Sequence, residues 1–110
     1  MTYWEKIHEA EHKGFLIVTS ITSEDLDPRD HFDDEPEELE EMCRKIDQGL
    51  LTWFVVRVQA FKHGVLLGDD YLGGNLYEDP IDFITECSSY DDMVHQAIAE
   101  ATYKIELLTE

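Results

Sequence analysis

Residues 8 to 12 read HEAEH, which contains the H-E-x-x-H pattern found in zinc peptidases. On a helix, this spacing places two imidazoles on one face, where they can bind zinc beside a glutamate that acts as general base. Zinc catalysis also needs a third protein ligand and a position open to water. The other histidines, His31, His63 and His95, lie at spacings unrelated to this motif. We therefore predict no metal site here, and a zinc metallopeptidase is the remote alternative.

Closely spaced carboxylates suggest a calcium site, because the segment from 25 to 35 places acidic residues two or three positions apart. A calcium loop of the EF-hand type needs ligands at alternate positions and then a glycine, and no window of the sequence has that pattern. The sequence also has no phosphate-binding glycine loop and no nucleophile elbow. No pair of carboxylates stands out as a general acid and base. We predict no enzyme activity, no catalytic residue and no cofactor.

Net charge is the most unusual property of the chain. Its 110 residues include 26 acidic and 8 basic side chains, which gives a formal net charge of −18 at pH 7. A small soluble domain usually carries a net charge of about 2 to 8 in magnitude, and a larger excess destabilises the compact state by self-repulsion. Direct binding to nucleic acid or to an anionic membrane is disfavoured, because both require lysine and arginine to neutralise phosphate. The complementary partner is a cationic protein surface.

The negative charge is concentrated in two blocks. Residues 24 to 41 contain a single lysine or arginine, Arg29, and residues 63 to 103 contain neither. Duplex DNA carries one charge per about 1.7 Å of its axis, so a protein that competes with DNA for a groove must display carboxylates densely. We predict that a partner contacts acidic residues of the first block and a second patch beside a tyrosine: Asp25, Asp27, Asp30, Asp33, Asp34, Glu35, Glu37, Glu38, Glu40, Glu41, Asp69, Asp70 and Tyr71.

The elements that position these residues can be predicted from local patterns, beginning at the N-terminus. Thr2 and Glu5 have the spacing of a capping box, and Gly14 is a suitable helix stop. These signals predict a helix at about residues 3 to 12. The following run at 15 to 22 is rich in β-branched and aromatic residues, which predicts a strand.

The first acidic block spans a predicted loop and a predicted helix. Residues 23 to 35 are too polar and too rich in turn-forming residues for regular structure. Pro36 suits the first turn of a helix, and apolar residues at helical spacing follow it up to Gly49. We predict a helix over residues 36 to 48 whose outer face is almost entirely charged.

The sequence of the second half of the chain predicts a hairpin and a long helix. Residues 51 to 62 and 65 to 72 have strand composition, and Gly64 can adopt the positive φ that a hairpin turn requires. The glycine-containing segment from 71 to 77 is consistent with a tight turn, a short edge strand or a bulged loop. A brief helix is predicted from Asp79 to Ile84, and a final helix over 90 to 108.

These elements predict a single α+β domain over residues 1 to 110, with an antiparallel sheet of three to four strands packed against the helices at 36 to 48 and 90 to 108. No apolar segment approaches the ~20 residues of a membrane span. The first residues are too polar for a secretory signal. We therefore predict a cytoplasmic protein.

The stretch WFVVRVQAFKHGVLLGDDYLGGNLY at residues 53 to 77, with YDDMVHQAIAEA at 90 to 101, resembles small acidic proteins encoded by phages and prophages. That resemblance implies no activity and no functional residue. In size and acidity, the chain also looks like the DNA-mimic inhibitors that phages and mobile elements direct against restriction or CRISPR machinery. This second resemblance implies a counter-defence role in the host cytoplasm.

The combined hypothesis is an acidic inhibitor, acting as a DNA mimic, that blocks a cationic nucleic-acid-binding surface of a host defence protein. The alternative is a small binding or regulatory module whose acidity serves only solubility and whose contacts are apolar. The identity of the target and the oligomeric state, including a homodimer, are left open by the sequence.

Overall fold

The computed structural model describes residues 3 to 109, which form four strands and four helices. The elements, in chain order, are β1 Glu5–His12, β2 Phe15–Ser23, α1 Pro28–His31, α2 Pro36–Asp47, β3 Thr52–Lys62, β4 Val65–Tyr77, α3 Ile81–Glu86 and α4 Ser88–Thr109. The strands form one sheet in the order β1-β2-β3-β4, and all neighbours are antiparallel. The predicted α+β class and antiparallel sheet are confirmed.

The predicted helix over residues 3 to 12 is wrong, because residues 5 to 12 form strand β1. Its register pairs Glu5 with Ile21 and His12 with Phe15. Lys13 and Gly14 both have positive φ, which is the geometry of the two-residue turn that joins hairpin strands. The sequence EKIHEAEH has residues that favour helices, but backbone pairing with β2 outweighs that weak preference. Thr2, the proposed cap, lies outside the described residues.

Several boundaries also differ from those predicted. The loop at 23 to 35 contains the short helix α1, and β4 continues through the glycine-containing segment to Tyr77. The register between β3 and β4 shifts between Phe54 and Val56, so this segment is a strand with a bulge. The β3–β4 turn is at His63 and Gly64, both with positive φ, as the hairpin prediction requires.

The hydrophobic core lies between one face of the sheet and helices α3 and α4. Alternate residues of the two central strands face these helices. The buried core includes Phe15, Ile17, Ile21, Phe54, Val56, Val58, Ala60, Phe83, Met93, Ala97 and Ala101. Helix α4 runs so close to β4 that a Cβ atom at Gly68 would collide with the backbone of Ala97. Small residues on both elements therefore determine how closely the helix packs against the sheet.

One hydrogen bond inside this core joins the sheet to α4. Thr19 is fully buried, and its hydroxyl lies 2.8 Å from the hydroxyl of Tyr90. Burial raises the pKa of Tyr90, although its hydrogen bond with Thr19 acts in the opposite direction. The phenol is therefore protonated at neutral pH and can take part as a donor.

Helix α2 does not cover the sheet as the sequence predicts. Its main packing partner among the elements is α1, whereas α4 packs on both β3 and β4. Only Cys43 is buried in α2, since burying its other faces would remove carboxylates from water. The molecule is elongated, at 57 × 30 × 22 Å. Its radius of gyration is 16.2 Å, compared with about 13 Å for a compact domain of this length.

We expect Ala97→Leu to destabilise the fold by about 1–3 kcal/mol or more, because the added atoms must fit between α4 and the sheet. Ala99→Leu is the matched control, since Ala99 is exposed on the same helix and its substitution is expected to change stability by less than about 0.5 kcal/mol. Urea unfolding measures both variants. Equal midpoints would contradict the proposed packing.

We also expect Tyr90→Phe to cost about 1–3 kcal/mol, because it removes the partner of a buried hydroxyl. Adding Thr19→Val should recover part of that loss, since the double variant has neither member of the hydrogen-bonded pair. The test is a double-mutant cycle of unfolding free energies. Additive effects of the two substitutions would show that the hydroxyl pair is not coupled.

Candidate functional site

The HEAEH motif is in a strand, and this changes the geometry of its histidines. Residues four apart on a helix have Cβ atoms about 5–6 Å apart, but four residues of a strand span about 13 Å. His8 and His12 share the face of β1 that α4 covers, and Glu9 and Glu11 lie on the opposite face. The helical arrangement that would bring two imidazoles and a general base to one zinc ion is therefore not formed.

The fold brings a third histidine towards this pair, which sequence spacing did not indicate. A cavity of about 230 Å³ between β1 and α4 is lined by His8, His12 and His95 together with Tyr90 and Asp91. Within residues 3 to 109, however, no group of three or more histidine, cysteine or acidic side chains is close enough to hold a metal ion. The three histidines line one cavity without converging on one point.

Residues 25 to 47, including α1 and α2, form what we call the acidic arm. All ten predicted contact residues of the first acidic block lie in it, and each of them is exposed. Pro36 occupies the first turn of α2, Glu37 and Glu38 follow it, and Arg44 and Lys45 lie in the last turn. This order of charges is favourable for the helix dipole. The acidic sequence is thus compatible with a regular helix that remains in water.

Arg29, the only lysine or arginine within the first acidic block, joins α1 to α2. Its guanidinium donates to both carboxylate oxygens of Glu40, from Nε at 2.6 Å and from Nη2 at 3.2 Å. Asp27 caps α1 by accepting from the backbone N–H of Arg29 at 2.9 Å, and it also accepts from the guanidinium. The hydrogen bond from Arg29 holds the pKa of Glu40 below its usual range. Glu41 pairs with Arg44.

These ion pairs divide the predicted acidic residues into two groups. Asp27, Glu40 and Glu41 are already paired within the arm. Across the described part of the chain, seven others form no ion pair: Asp25, Asp30, Asp33, Asp34, Glu35, Glu37 and Glu38. The second group offers charge to a partner without breaking an internal contact.

The start of the arm is attached to the sheet through Trp53. The indole of this buried residue donates to the carbonyl oxygen of Leu26 at 2.8 Å. The rings of His31 and Phe32 pack against the same indole, with centroids 5.4 and 5.5 Å away. Trp53 was assigned to a strand from sequence, but nothing in the pattern indicated that it would anchor the acidic segment.

The predicted second patch of Asp69, Asp70 and Tyr71 is divided by the strand that carries it. Asp69 and Tyr71 lie on the open face of the sheet, and the Tyr71 hydroxyl donates to Asp69 at 3.4 Å. Asp70 lies on the other face, beside Asp92 and Gln96 of α4. Because successive strand residues alternate between faces, Asp70 faces away from Asp69, although Asp70 and Tyr71 both border one depression beside α4.

A groove on the open face of the sheet was missed by sequence reasoning. It has a volume of about 750 Å³, and we call it the aromatic groove. Four aromatic and three acidic residues help to line it: Tyr3, Trp4, Trp53, Tyr71, Glu5, Glu24 and Asp25. Glu5 pairs with the core residue Ile21, so its side chain lies on the helix-covered face, and the acidic residues relevant to the open face are Glu24 and Asp25. The missed signal was strand β1, since the mistaken helix placed Trp4 and Glu5 away from the sheet. The groove adjoins the acidic arm through Asp25.

Two contacts order the open face beside this groove. The guanidinium carbon of Arg57 lies 4.3 Å from the centre of the Trp4 ring, which is a cation–π geometry. Trp4 and Tyr71 pack edge to face with ring centroids 5.9 Å apart. The Nε atom of Arg57 is buried and has no hydrogen-bond acceptor among residues 3 to 109. Among the described residues, the cation–π contact with Trp4 is therefore the main interaction of the Arg57 side chain.

We expect no zinc-dependent hydrolysis, because the two histidines of HEAEH are separated along a strand. The purified protein should contain zinc well below one equivalent, and Glu9→Gln should leave any background peptidase activity unchanged. Metal analysis and a peptidase assay with added zinc measure these outcomes. Stoichiometric zinc with activity that is lost in Glu9→Gln would reverse this conclusion.

No helix in the described part of the chain is both long enough and apolar enough to cross a membrane. Comparison with protein families, with curated proteins and with solved structures finds no match to this chain.

Proposed function

We propose that this protein is a stoichiometric inhibitor that occupies a cationic, nucleic-acid-binding surface of a host defence protein. The observation that carries the proposal is the acidic arm, in which eleven exposed acidic residues lie on two helices and the segments beside them. Both the net charge of −18 and the density of exposed acidic residues in the arm support this function.

The dimensions of the arm suit a surface that normally binds nucleic acid. A helix of 12 residues is about 18 Å long, which corresponds to about five base pairs of duplex DNA at 3.4 Å each. Eight carboxylates of the arm, the seven named above and Asp47, are free of internal ion pairs among the described residues. They can pair with lysines and arginines that would otherwise contact phosphates.

Attachment of the arm to the sheet supports binding by a preorganised surface. Arg29 joins the two helices, and Trp53 fixes the segment that leads into them. An ordered charged surface loses less conformational entropy on binding than a disordered acidic tail would. Long-range attraction by the arm would also increase the association rate, which is the main benefit of electrostatic complementarity.

A regulatory module with apolar contacts is the second candidate, and one observation favours it. Large apolar residues are exposed near the β1–β2 and β3–β4 turns and along β4, including Leu16, Val65, Leu66 and Tyr71. If these residues formed the interface, the arm would serve solubility alone. Binding would then depend weakly on salt and strongly on apolar substitutions.

We expect neutralisation of four unpaired acids of the arm to weaken partner binding at least about tenfold at 0.1 M salt. Exposed charge pairs contribute about 0.2–1 kcal/mol each, and tenfold in affinity is about 1.4 kcal/mol. The variant combines Asp33→Asn, Asp34→Asn, Glu37→Gln and Glu38→Gln. A matched control makes the same change in net charge at exposed positions outside the arm: Glu11→Gln, Glu78→Gln, Glu86→Gln and Glu106→Gln.

The measurement is capture of proteins from a bacterial lysate on each immobilised variant, with circular dichroism to verify folding. The captured protein should be displaced by short duplex DNA and by salt, because the Debye length falls from about 10 Å at 0.1 M to about 3 Å at 1 M. It should be retained by the control and reduced on the arm variant. Capture that is equal on both variants and insensitive to DNA and salt would exclude the arm as the interface.

A further inference from the structure

We propose that the aromatic groove binds an arginine side chain presented by the cationic partner. The inference rests on the proposed function in one respect, since that function supplies a protein partner rich in lysine and arginine. It adds a specific anchoring site, distinct from the exposed helical carboxylates of the arm.

The walls of the groove combine the two groups that a guanidinium binds well. Tyr3, Trp4 and Tyr71 supply aromatic rings at its edge, and the buried Trp53 forms part of its base. Cations are attracted to aromatic ring faces, and tryptophan provides the strongest such site. Carboxylates of the same groove can accept the N–H donors of the guanidinium. A purely apolar ligand would leave these carboxylates desolvated without a partner.

The carboxylate of Glu24 is fixed in position by the backbone. Its Oε2 atom accepts from the N–H of Gly74 at 2.9 Å, and Oε1 accepts from the N–H of Leu26 at 3.3 Å. Within residues 3 to 109, Glu24 forms no ion pair with a basic side chain. Each oxygen keeps further acceptor capacity, since a carboxylate can accept about four hydrogen bonds. Glu24 is thus a half-buried, ordered anion without a counter-ion in the described structure.

The two glycines of the β4 bulge leave room for the Glu24 carboxylate to lie against the strand. A Cβ atom at Gly73 would lie 2.5 Å from Oε2 of Glu24, which is closer than real Cβ contacts. Gly74 has a φ of +74°, and a Cβ there would lie 2.6 Å from the imidazole of His31. The pair at 73 and 74 therefore allows both the carboxylate and the start of the acidic arm to approach the strand.

The open face already contains one example of the proposed contact. Arg57 places its guanidinium 4.3 Å from the centre of the Trp4 ring, although Arg57 does not line the groove. Arginine is favoured over lysine as the ligand, because its planar group stacks on rings and donates two parallel hydrogen bonds to one carboxylate. The groove offers rings and carboxylates together, which matches that planar, multiply donating group.

The experiment titrates the intact protein with the peptide acetyl-Gly-Arg-Gly-amide and follows the indole N–H signals of Trp4 and Trp53 by NMR. A matched peptide with citrulline replaces the guanidinium by a neutral group of the same shape. We expect the arginine peptide to shift the Trp4 signal in a saturable manner and the citrulline peptide to bind at least about tenfold more weakly.

Two variants test the carboxylate without altering the aromatic rings. Glu24→Gln keeps an oxygen that can accept from the backbone but removes the charge, so arginine-peptide affinity should fall about tenfold. Gly73→Ala should displace Glu24 and have a similar effect, and its backbone can accept alanine since its φ is not positive. The arm variant with four neutralised acids is the control, and its peptide binding should be nearly unchanged.

The outcomes separate this inference from the proposed function. Equal binding of the arginine and citrulline peptides, or shifts confined to the acidic arm, would overturn the groove as an arginine site. In that case, capture of a DNA-displaceable protein by the arm would still support the proposed function. Sedimentation showing a dimer that Glu24→Gln and Trp4→Ala convert to monomer would identify a second copy as the occupant and would also overturn the inference.

Discussion

Mutual repulsion among carboxylates is the constraint on which the rest of this structure depends. With a net charge of −18, the chain must bury a sufficient apolar core while keeping its acidic residues in water. One face of a four-stranded sheet against α4 meets this requirement, because strand alternation separates the core residues from the polar ones. The excess of charge is accommodated where the chain leaves the sheet, in a helical arm that buries only Cys43 of α2.

The arm and the sheet are connected by a small number of specific contacts. Trp53 belongs to the central strand β3 yet donates to Leu26 at the start of the arm. Glu24, at the end of β2, reaches the bulge of β4 two strands away. The aromatic groove includes Asp25, so it borders the start of the arm. Acidic charge and aromatic surface are adjacent because the same few residues position both.

Sequence predicted those elements whose local pattern agrees with their tertiary environment. Strands β2 and β3 have β-branched residues, and α4 has a continuous apolar stripe, so propensity and packing favour the same structure. Residues of β1 favour a helix locally, and only pairing with β2 makes them a strand. The acidic residues were found by charge alone, whereas the groove joins Trp4, Glu24 and Tyr71 from three separate segments. No local pattern encodes that juxtaposition.

Strand β1 also affects the tendency of the protein to aggregate, because it lies at one edge of the sheet. It is an edge strand that carries four charged residues, Glu5, Lys6, Glu9 and Glu11, and its pairing is interrupted by a bulge between Lys6 and His8. Such features oppose edge-to-edge addition of another sheet, which is the usual start of β-aggregation. If the protein is the one-to-one inhibitor proposed above, it must reach the copy number of its target. An edge that resists strand addition would then favour the monomer at that concentration.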